Sequence, residues 1–312
     1  MEEKESPQIT AVISTRSRGD KIVNTIQTIL QNDYPHFDLR VIDQSEDDST
    51  ETSLRPFLGD PRFHYLRTVT QGLSTGRNLG INSAKNEFIA ITDDDCETPT
   101  NWIQELVTAF NVDHRIGIVF GNTVPAPHSR ADGFIPIYVR NEPFLAKSIH
   151  DKHQAEGISA CMGLRRSVWQ VLNGFDEMLG AGTSFKSAEE VDFTIRALLA
   201  GYFVYETPKL TVVHHGFRTW EQGRALIHGY WYGAGAVFAK LLKCRHWSIF
   251  QLLLHLAYRW AFGLSRVASS FGNNPHRWLR LAAFVQGFLT GIIKPVDRST
   301  GHYVRNARKT AK

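Results

Sequence analysis

The sequence predicts an α/β fold: a mostly parallel sheet flanked by helices, continued by a helical C-terminal extension. Three observations predict it. Short β-branched runs alternate with segments of helical period over residues 9–120. Polar clusters follow those runs at a common end, the place where open α/β sheets bind ligands. From residue 226 onward only helical patterning continues, rich in Arg, Lys and Trp.

Residues 1–8 read as a loose leader. Residues 9–14 form a β-branched strand that runs into the polar loop Thr15, Arg16, Ser17 and Arg18. In 21–31 the apolar residues Ile22, Val23, Ile26, Ile29 and Leu30 fall at helical spacing. A second strand, 39–42, opens onto an acidic loop starting at Asp43, and a third spans 63–66. Residues 73–85 form a helix, and 88–92 a fourth strand that ends abruptly at Asp93, Asp94 and Asp95. A helix over 102–110 and a fifth strand over 116–120 complete the alternation, which argues for a sheet covered on both faces. Residues 121–156, rich in Pro, His and charge, read as a long functional loop or lid. Helices follow over 166–172, ended by Asn173 and Gly174, and over 188–200, ended by Gly201. Val204 and the run 210–213 mark a last strand before His214, His215 and Gly216.

A chain of 312 residues with 42% hydrophobic content suits one large domain plus an appendage, or two small domains. Cys96, Cys161 and Cys244 lie far apart, which excludes a disulfide framework or a Cys-x-x-Cys knuckle and points to a reducing compartment. Residues 1–6 are acidic and polar, so the chain is expected to start in the cytosol. Charge is unevenly divided. Residues 240–312 hold 13 Lys/Arg against Asp297 alone, and the remaining 22 basic and 30 acidic residues leave the body at −8. Such a basic, aromatic tail predicts attraction to an anionic surface, lipid or nucleic acid. The apolar stretches 249–264 and 281–293 favour lipid. His255 and Arg259 interrupt the first, and neither reaches the ~20 apolar residues that cross a bilayer. Helices lying in the membrane interface are expected, with packing on the rest of the chain or on a second subunit as the alternative.

Three adjacent carboxylates at a strand end repel one another and are hard to hold without a cation. Alternation along a strand would let Asp93 and Asp95 share one partner while Asp94 points away. Hard oxygens suit Mg²⁺ or Mn²⁺, which keep positions open for substrate phosphates. A solvated acidic turn is the bland alternative; the abutting apolar strand argues against it. Further on, Glu189, Glu190 and Asp192 open a helix, and Ser187-x-x-Glu190 has the form of a capping box.

Five blocks then occur in order: Val41 to Ser45; Gly72, Arg77, Asn78, Gly80 and Ala84; Glu87 to Asp95; Gly174 to Glu177; and Glu189 to Asp192. Over roughly residues 8–220 this series resembles the inverting glycosyltransferases of family two. The resemblance implies a GT-A, Rossmann-like catalytic domain at 1–225, with a nucleotide-sugar half at 8–120 and an acceptor half at 121–225. A basic amphipathic extension at 226–312 follows. It implies transfer of a sugar from a nucleotide-diphosphate sugar to an acceptor hydroxyl with inversion. Asp43 would contact the nucleobase or ribose and Arg77 would lie beside the nucleotide, with Thr15, Arg16 and Asp94 in the same region. Asp93 would face the ribose and metal, Asp95 would ligate Mn²⁺ or Mg²⁺, and His214 would complete the metal site.

The family usually carries Glu-Asp where this chain has Glu189-Glu190. The general base is therefore expected at Glu190, one methylene further out, or shared with Glu189 and Asp192. Blander roles stand beside these: Arg77 in a surface ion pair, Asp43 or Glu190 as a cap, Arg165 and Arg166 as a helix start rather than a phosphate contact. Residues 217–224 do not match the Gln-x-x-Arg-Trp motif of processive members, so single addition is expected. The implied setting is bacterial-type surface glycan or glycolipid synthesis on a glycan or lipid-linked acceptor. The enzyme would be cytoplasmic and peripheral on the inner face of the cell membrane, with no nucleic-acid partner. A nucleotide-sugar-binding protein with little turnover is the alternative; a nucleotidyltransferase would need a longer Gly-rich phosphate loop than 15–19 provides.

Overall fold

The computed structural model describes residues 6–262 and 277–305, with backbone alone at 256, 257 and 259–262. Most of the leader, the side chain of Arg259, and the stretches 263–276 and 306–312 of the tail lie outside the described residues. The strands are β1 (Ile9–Thr15), β2 (Phe37–Asp43), β3 (Phe63–Arg67), β4 (Phe88–Thr92), β5 (Cys96–Glu97), β6 (Ile116–Pro125), β7 (Gly133–Phe134), β8 (Phe144–Ala146), β9 (Cys161–Arg165) and β10 (Phe203–His214). The helices among them are α1 (Val23–Leu30), α2 (Ser49–Leu54), α3 (Leu73–Ser83), α4 (Trp102–Phe110), α5 (Arg166–Val171) and α6 (Glu189–Leu199).

Among the described residues nine strands form one sheet in the order β3-β2-β1-β4-β9-β6-β10-β5, with β8 also paired to β10. β1 pairs in parallel with β2 and β4, β2 with β3, and β6 with β10. Alternation along the strands sorts the two cores. Ile9, Ala11 and Ile13 of β1 point to the face covered by α1 and α4, while Val12 points to the face of α3, α5 and α6. Every residue of β1 is buried, as a central parallel strand requires.

The sequence reading fails at β9. This strand runs antiparallel between β4 and β6, inside the sheet. Its Gly163 looks like loop chemistry, yet a Cβ there would come within 2.3 Å of Leu106, so glycine is what lets α4 sit on the sheet. The segment 121–156 is also more ordered than expected. It holds the end of β6, the short strands β7 and β8, and a 3-10 turn over Ile149–Gln154.

The C-terminal region contains α7 (Trp220–Lys243), α8 (Ile249–Phe262) and α9 (Arg277–Ile293). Helix α7 crosses position 225/226 without a break, and Thr219 and Gln222 cap its start reciprocally. Glycines set the α7–α9 distance: a Cβ on Gly287 would lie 1.9 Å from the Tyr232 carbonyl oxygen, and one on Gly235 2.1 Å from that of Phe284. The tail is not wholly helical. Val296–Asp297 and His302–Tyr303 form an antiparallel hairpin whose Tyr303 N–H donates to Asp176 (2.9 Å). Lys240 of α7 is fully buried between Asp176 (2.6 Å) and Asp192 (2.8 Å). No described helix is long and apolar enough to cross a membrane.

Candidate active site

The carboxyl ends of β1, β2 and β4 converge, with Thr15 in register beside Asp43. Helix α3 lies close over β1 because Gly76 and Gly80 share one face; a Cβ on Gly76 would meet Ser14 at 2.0 Å, and one on Gly80 would meet Val12 at 2.4 Å. That approach carries Arg77 into the interior, 1% exposed. Its two terminal nitrogens reach Asp93 (2.8 Å) and Glu189 (2.9 Å), tying the strand end to the start of α6. A surface ion pair is therefore not its role. Asn78, next to it, accepts from Trp169 and the Phe175 N–H and donates to the Phe175 carbonyl, fixing the loop before α6.

Asp93, Asp94 and Asp95 lie past the end of β4, in a turn, so strand alternation does not govern them. The shared partner joins Asp94 and Asp95 instead of Asp93 and Asp95: Arg18 donates to both at 2.8 Å. Thr15 also donates to Asp94 (2.7 Å). Arg18 turns inward after Ser17, whose φ of 54° is left-handed, while Arg16 turns out to an exposed pair with Glu46 (2.8 Å). His214 Nε2 sits 3.2 Å from Asp95, and its Nδ1 is 2.9 Å from the Pro136 carbonyl oxygen. Burial would raise the Asp95 carboxyl, but His214 and Arg18 draw it down to about 2. Burial would lower His214, and Asp95 holds it above the usual imidazole value. His215 faces outward to Glu97 (2.8 Å).

The ligand atoms of Asp95, Cys96 and His214 lie within 4.8 Å of one another. Burial keeps the Cys96 thiol protonated, its pKa raised well above the ordinary value. An oxygen and an imidazole nitrogen remain, a donor set that fits Mn²⁺ or Mg²⁺. Asp93, expected in the same set, is engaged by Arg77.

A cavity of about 1270 Å³ opens over these groups. Thr15, Arg16, Arg18, Asp93 to Asp95 and His214 line one part, Glu189 and Glu190 another. Three expected residues do not line it, Arg77 among them, which lies buried behind Asp93 and Glu189. Asp43 is fully buried, accepting from Ser45 and Tyr65. Asp192, in the same first turn of α6, is fully buried between Arg196 (2.9 Å) and Lys240, away from the cavity. Arg165 and Arg166 begin α5; Arg165 donates to the Ile116 carbonyl and covers the Phe88 ring.

Glu190 keeps some exposure, toward the cavity. Burial first, and then the neighbouring Glu189, push its carboxyl up to about 8, against partial opposition from Arg77 and Lys152. It forms no capping box. Ser187 donates instead to the Gly229 carbonyl (3.1 Å), and Ala188 caps α6 with a φ of 71° and no side-chain bond. Lys186, at φ 66°, adds a second left-handed residue just upstream. Strain of this kind is held only where surrounding contacts over-determine it, here α7 packed against Ser187 through Gly233. Arg18, Lys152 and Tyr230 are cavity residues that sequence reasoning did not single out. Only Arg18 had a local signal, as one of two alternating arginines in the loop after β1.

Comparison with known proteins gives the same picture. The family model "Glycosyl transferase family 2" matches residues 10–172. Glycosyltransferase GlyG of Streptococcus pneumoniae serotype 4 is 26% identical over 146 residues, 46% of this chain and 48% of that protein, so the chain spans about half of it. WcaA of Escherichia coli strain K12, a glycosyl transferase whose name places it in colanic acid biosynthesis, is 23% identical over 68% of this chain and 75% of its own length. Among solved structures, the mannosyltransferase PcManGT of Pyrobaculum calidifontis, in complex with GDP-Man and Mn²⁺, superposes with a TM-score of 0.61 at 15% identity. That match covers 93% of this chain and 88% of that one. Residues 1–349 of S. aureus TarS give 0.56 at 15% identity over 90% and 81%.

Proposed function

The chain belongs to glycosyl transferase family 2, and from that premise we propose that it transfers one sugar from a nucleotide-diphosphate sugar to an acceptor hydroxyl, with inversion and with a divalent cation. The observation that carries this reading is one cavity lined both by the Asp93–Asp95 turn with His214 and by Glu190. Asp95 and His214 would hold the cation, and Asp93 would join them on release from Arg77. The cation would supply positive charge to the departing diphosphate.

The remaining steps fall to the chain's own groups. Arg18 brings positive charge to the donor side, and Arg77, buried behind it, holds Asp93 and fixes Glu189 at the start of α6. Glu190 takes the proton of the acceptor hydroxyl as its oxygen forms a bond to the anomeric carbon. The bond from that carbon to the phosphate oxygen breaks on the opposite face, and its electron pair leaves with the nucleoside diphosphate. The raised carboxyl supports this role, because a base works best when its pKa lies near the operating pH. GDP-Man in the PcManGT structure supports a nucleotide-sugar donor, and the name of WcaA supports a bacterial surface glycan as product.

The test is metal dependence. Asp95→Ala should abolish nucleotide release from a panel of nucleotide sugars and weaken Mn²⁺-dependent nucleotide binding, with the circular-dichroism spectrum preserved. Full activity in EDTA, or in the variant, would remove the metal from the proposal.

The outer faces of α8 and α9 support a peripheral place on an anionic membrane. Phe250, Leu254, Trp278, Leu289 and Ile293 are exposed there, as is Trp247 in the turn before α8, on a segment whose charge is almost entirely positive. Sedimentation with anionic liposomes should fall as salt rises, and should fall severalfold in Trp278→Ser/Leu289→Glu/Ile293→Glu. Unchanged sedimentation of that variant would leave these faces to a protein contact.

A further inference from the structure

Several cations that line the cavity have no part in the proposed chemistry, and one of them is buried without a counter-charge. Arg280, on α9, is 5% exposed and lines the cavity. Among the described residues its guanidinium has no ion pair, and its Nε is a buried donor without an acceptor. The other buried arginines, Arg77 and Arg196, are both paired with carboxylates. Burial pulls Arg280 below the usual guanidinium pKa, yet a guanidinium stays charged in a protein. A buried charge without a counter-charge is strongly unfavourable, so its partner is to be sought in what the cavity binds.

The wall around it is apolar. Ile227, Trp231, Ala234 and Phe238 line the cavity from α7 at spacings of four, three and four, one stripe about 16 Å long. Leu252 of α8 adds to it. Tyr230 of the same helix and Glu190 line the cavity with the stripe. Leu279, beside Arg280 in the chain, packs against the cluster that Ile227 forms with Phe134. A buried cation without a counter-charge and a hydrocarbon-lined wall, in the cavity that also holds Glu190, describe a site for an amphiphile.

We propose that Arg280 receives the phosphate-type anionic group of an amphipathic acceptor whose hydrocarbon segment lies along Ile227, Trp231, Ala234 and Phe238. The inference rests on the transferase reading of the same cavity and names the class of its second substrate. A free phosphate ion would satisfy the charge and leave the stripe unused. The donor diphosphate would lie with Asp93 to Asp95.

Octyl phosphate, octanol and inorganic phosphate serve as probes of the full chain, read by titration calorimetry and thermal shift. Wild type should bind octyl phosphate at least tenfold more tightly than either of the others. Arg280→Met should lose that preference at least tenfold, and Arg280→Lys should recover part of it. Without ligand, Arg280→Met should melt higher than wild type, because an unpaired buried charge is gone, while its shift on adding octyl phosphate disappears. Equal binding of octyl phosphate by wild type and Arg280→Met would overturn the proposal. So would inorganic phosphate binding as tightly as octyl phosphate, a lowered ligand-free melting point, or a tenfold rise in donor KM, which would assign Arg280 to the donor. Failure of the transferase reading shows separately, as no nucleotide release by wild type from any nucleotide sugar, and it would overturn the acceptor role even with octyl phosphate bound.

Discussion

Glu190→Gln should slow sugar transfer by about 10²–10⁴-fold, the usual contribution of a general base, with little change in donor affinity. The same variant has a second, opposite effect. The folded protein holds the Glu190 proton up to about 8, whereas the unfolded chain releases it near the ordinary 4.5. Across that window the folded state binds more protons, so rising pH destabilises it. Glutamine cannot ionise and is spared. The variant should therefore melt a few degrees above wild type at pH 8.5, and the difference should vanish below about pH 4.5. Wild-type kcat/KM should rise with pH through the same region, as the base loses its proton. A variant that keeps its rate would pass the role to Glu189, since Asp192 is sealed between Arg196 and Lys240.

Lys240→Ala should lower the melting temperature by about 10 °C, equivalent to roughly 3–5 kcal/mol for a buried ion pair that loses one partner. Asp176 and Asp192, both fully buried, would then face each other with only Arg196 beside Asp192. The double variant Lys240→Met/Asp176→Asn removes charge of both signs and should recover part of the loss in a thermal scan. An unchanged melting point in Lys240→Ala would mean that water reaches the pair and that the tail helices contribute little to the catalytic unit.

Local signals were legible where one face or one junction decided the structure. Helix α4 spans the predicted 102–110 because six of its nine residues are buried at helical spacing. The strand leading to Asp93 was equally plain, since apolar and acidic residues meet there without a spacer. What failed to show was anything fixed by a distant partner. β9 is a central strand only because β4 and β6 flank it. Arg16 and Arg18 look alike until the left-handed turn at Ser17 sends one outward and the other to Asp94 and Asp95. Glu190 and Asp192 share the first turn of α6, and only the arrival of Lys240 decides which of them is sealed away. Asp43, expected to open the loop after the second strand, is the last residue of β2, and Tyr65 and Ser45 take its carboxylate.

The Lys240 contact also fixes when the protein can become active during its synthesis. Asp176 and Asp192 lie within the first two thirds of the chain, but their counter-charge is 240 residues along and the hairpin that covers it ends at Tyr303. Domains otherwise tend to fold from the N-terminus as they emerge. Here the helix that carries Glu190 would stay loosely seated on a nascent chain, with Asp176 lacking its counter-charge and Asp192 holding Arg196 alone, until the segment through Tyr303 has left the ribosome. A ribosome-bound chain stalled before residue 240 would bring the Asp93–Asp95 turn without a settled α6, so the proposed transfer would wait for α7 and the hairpin.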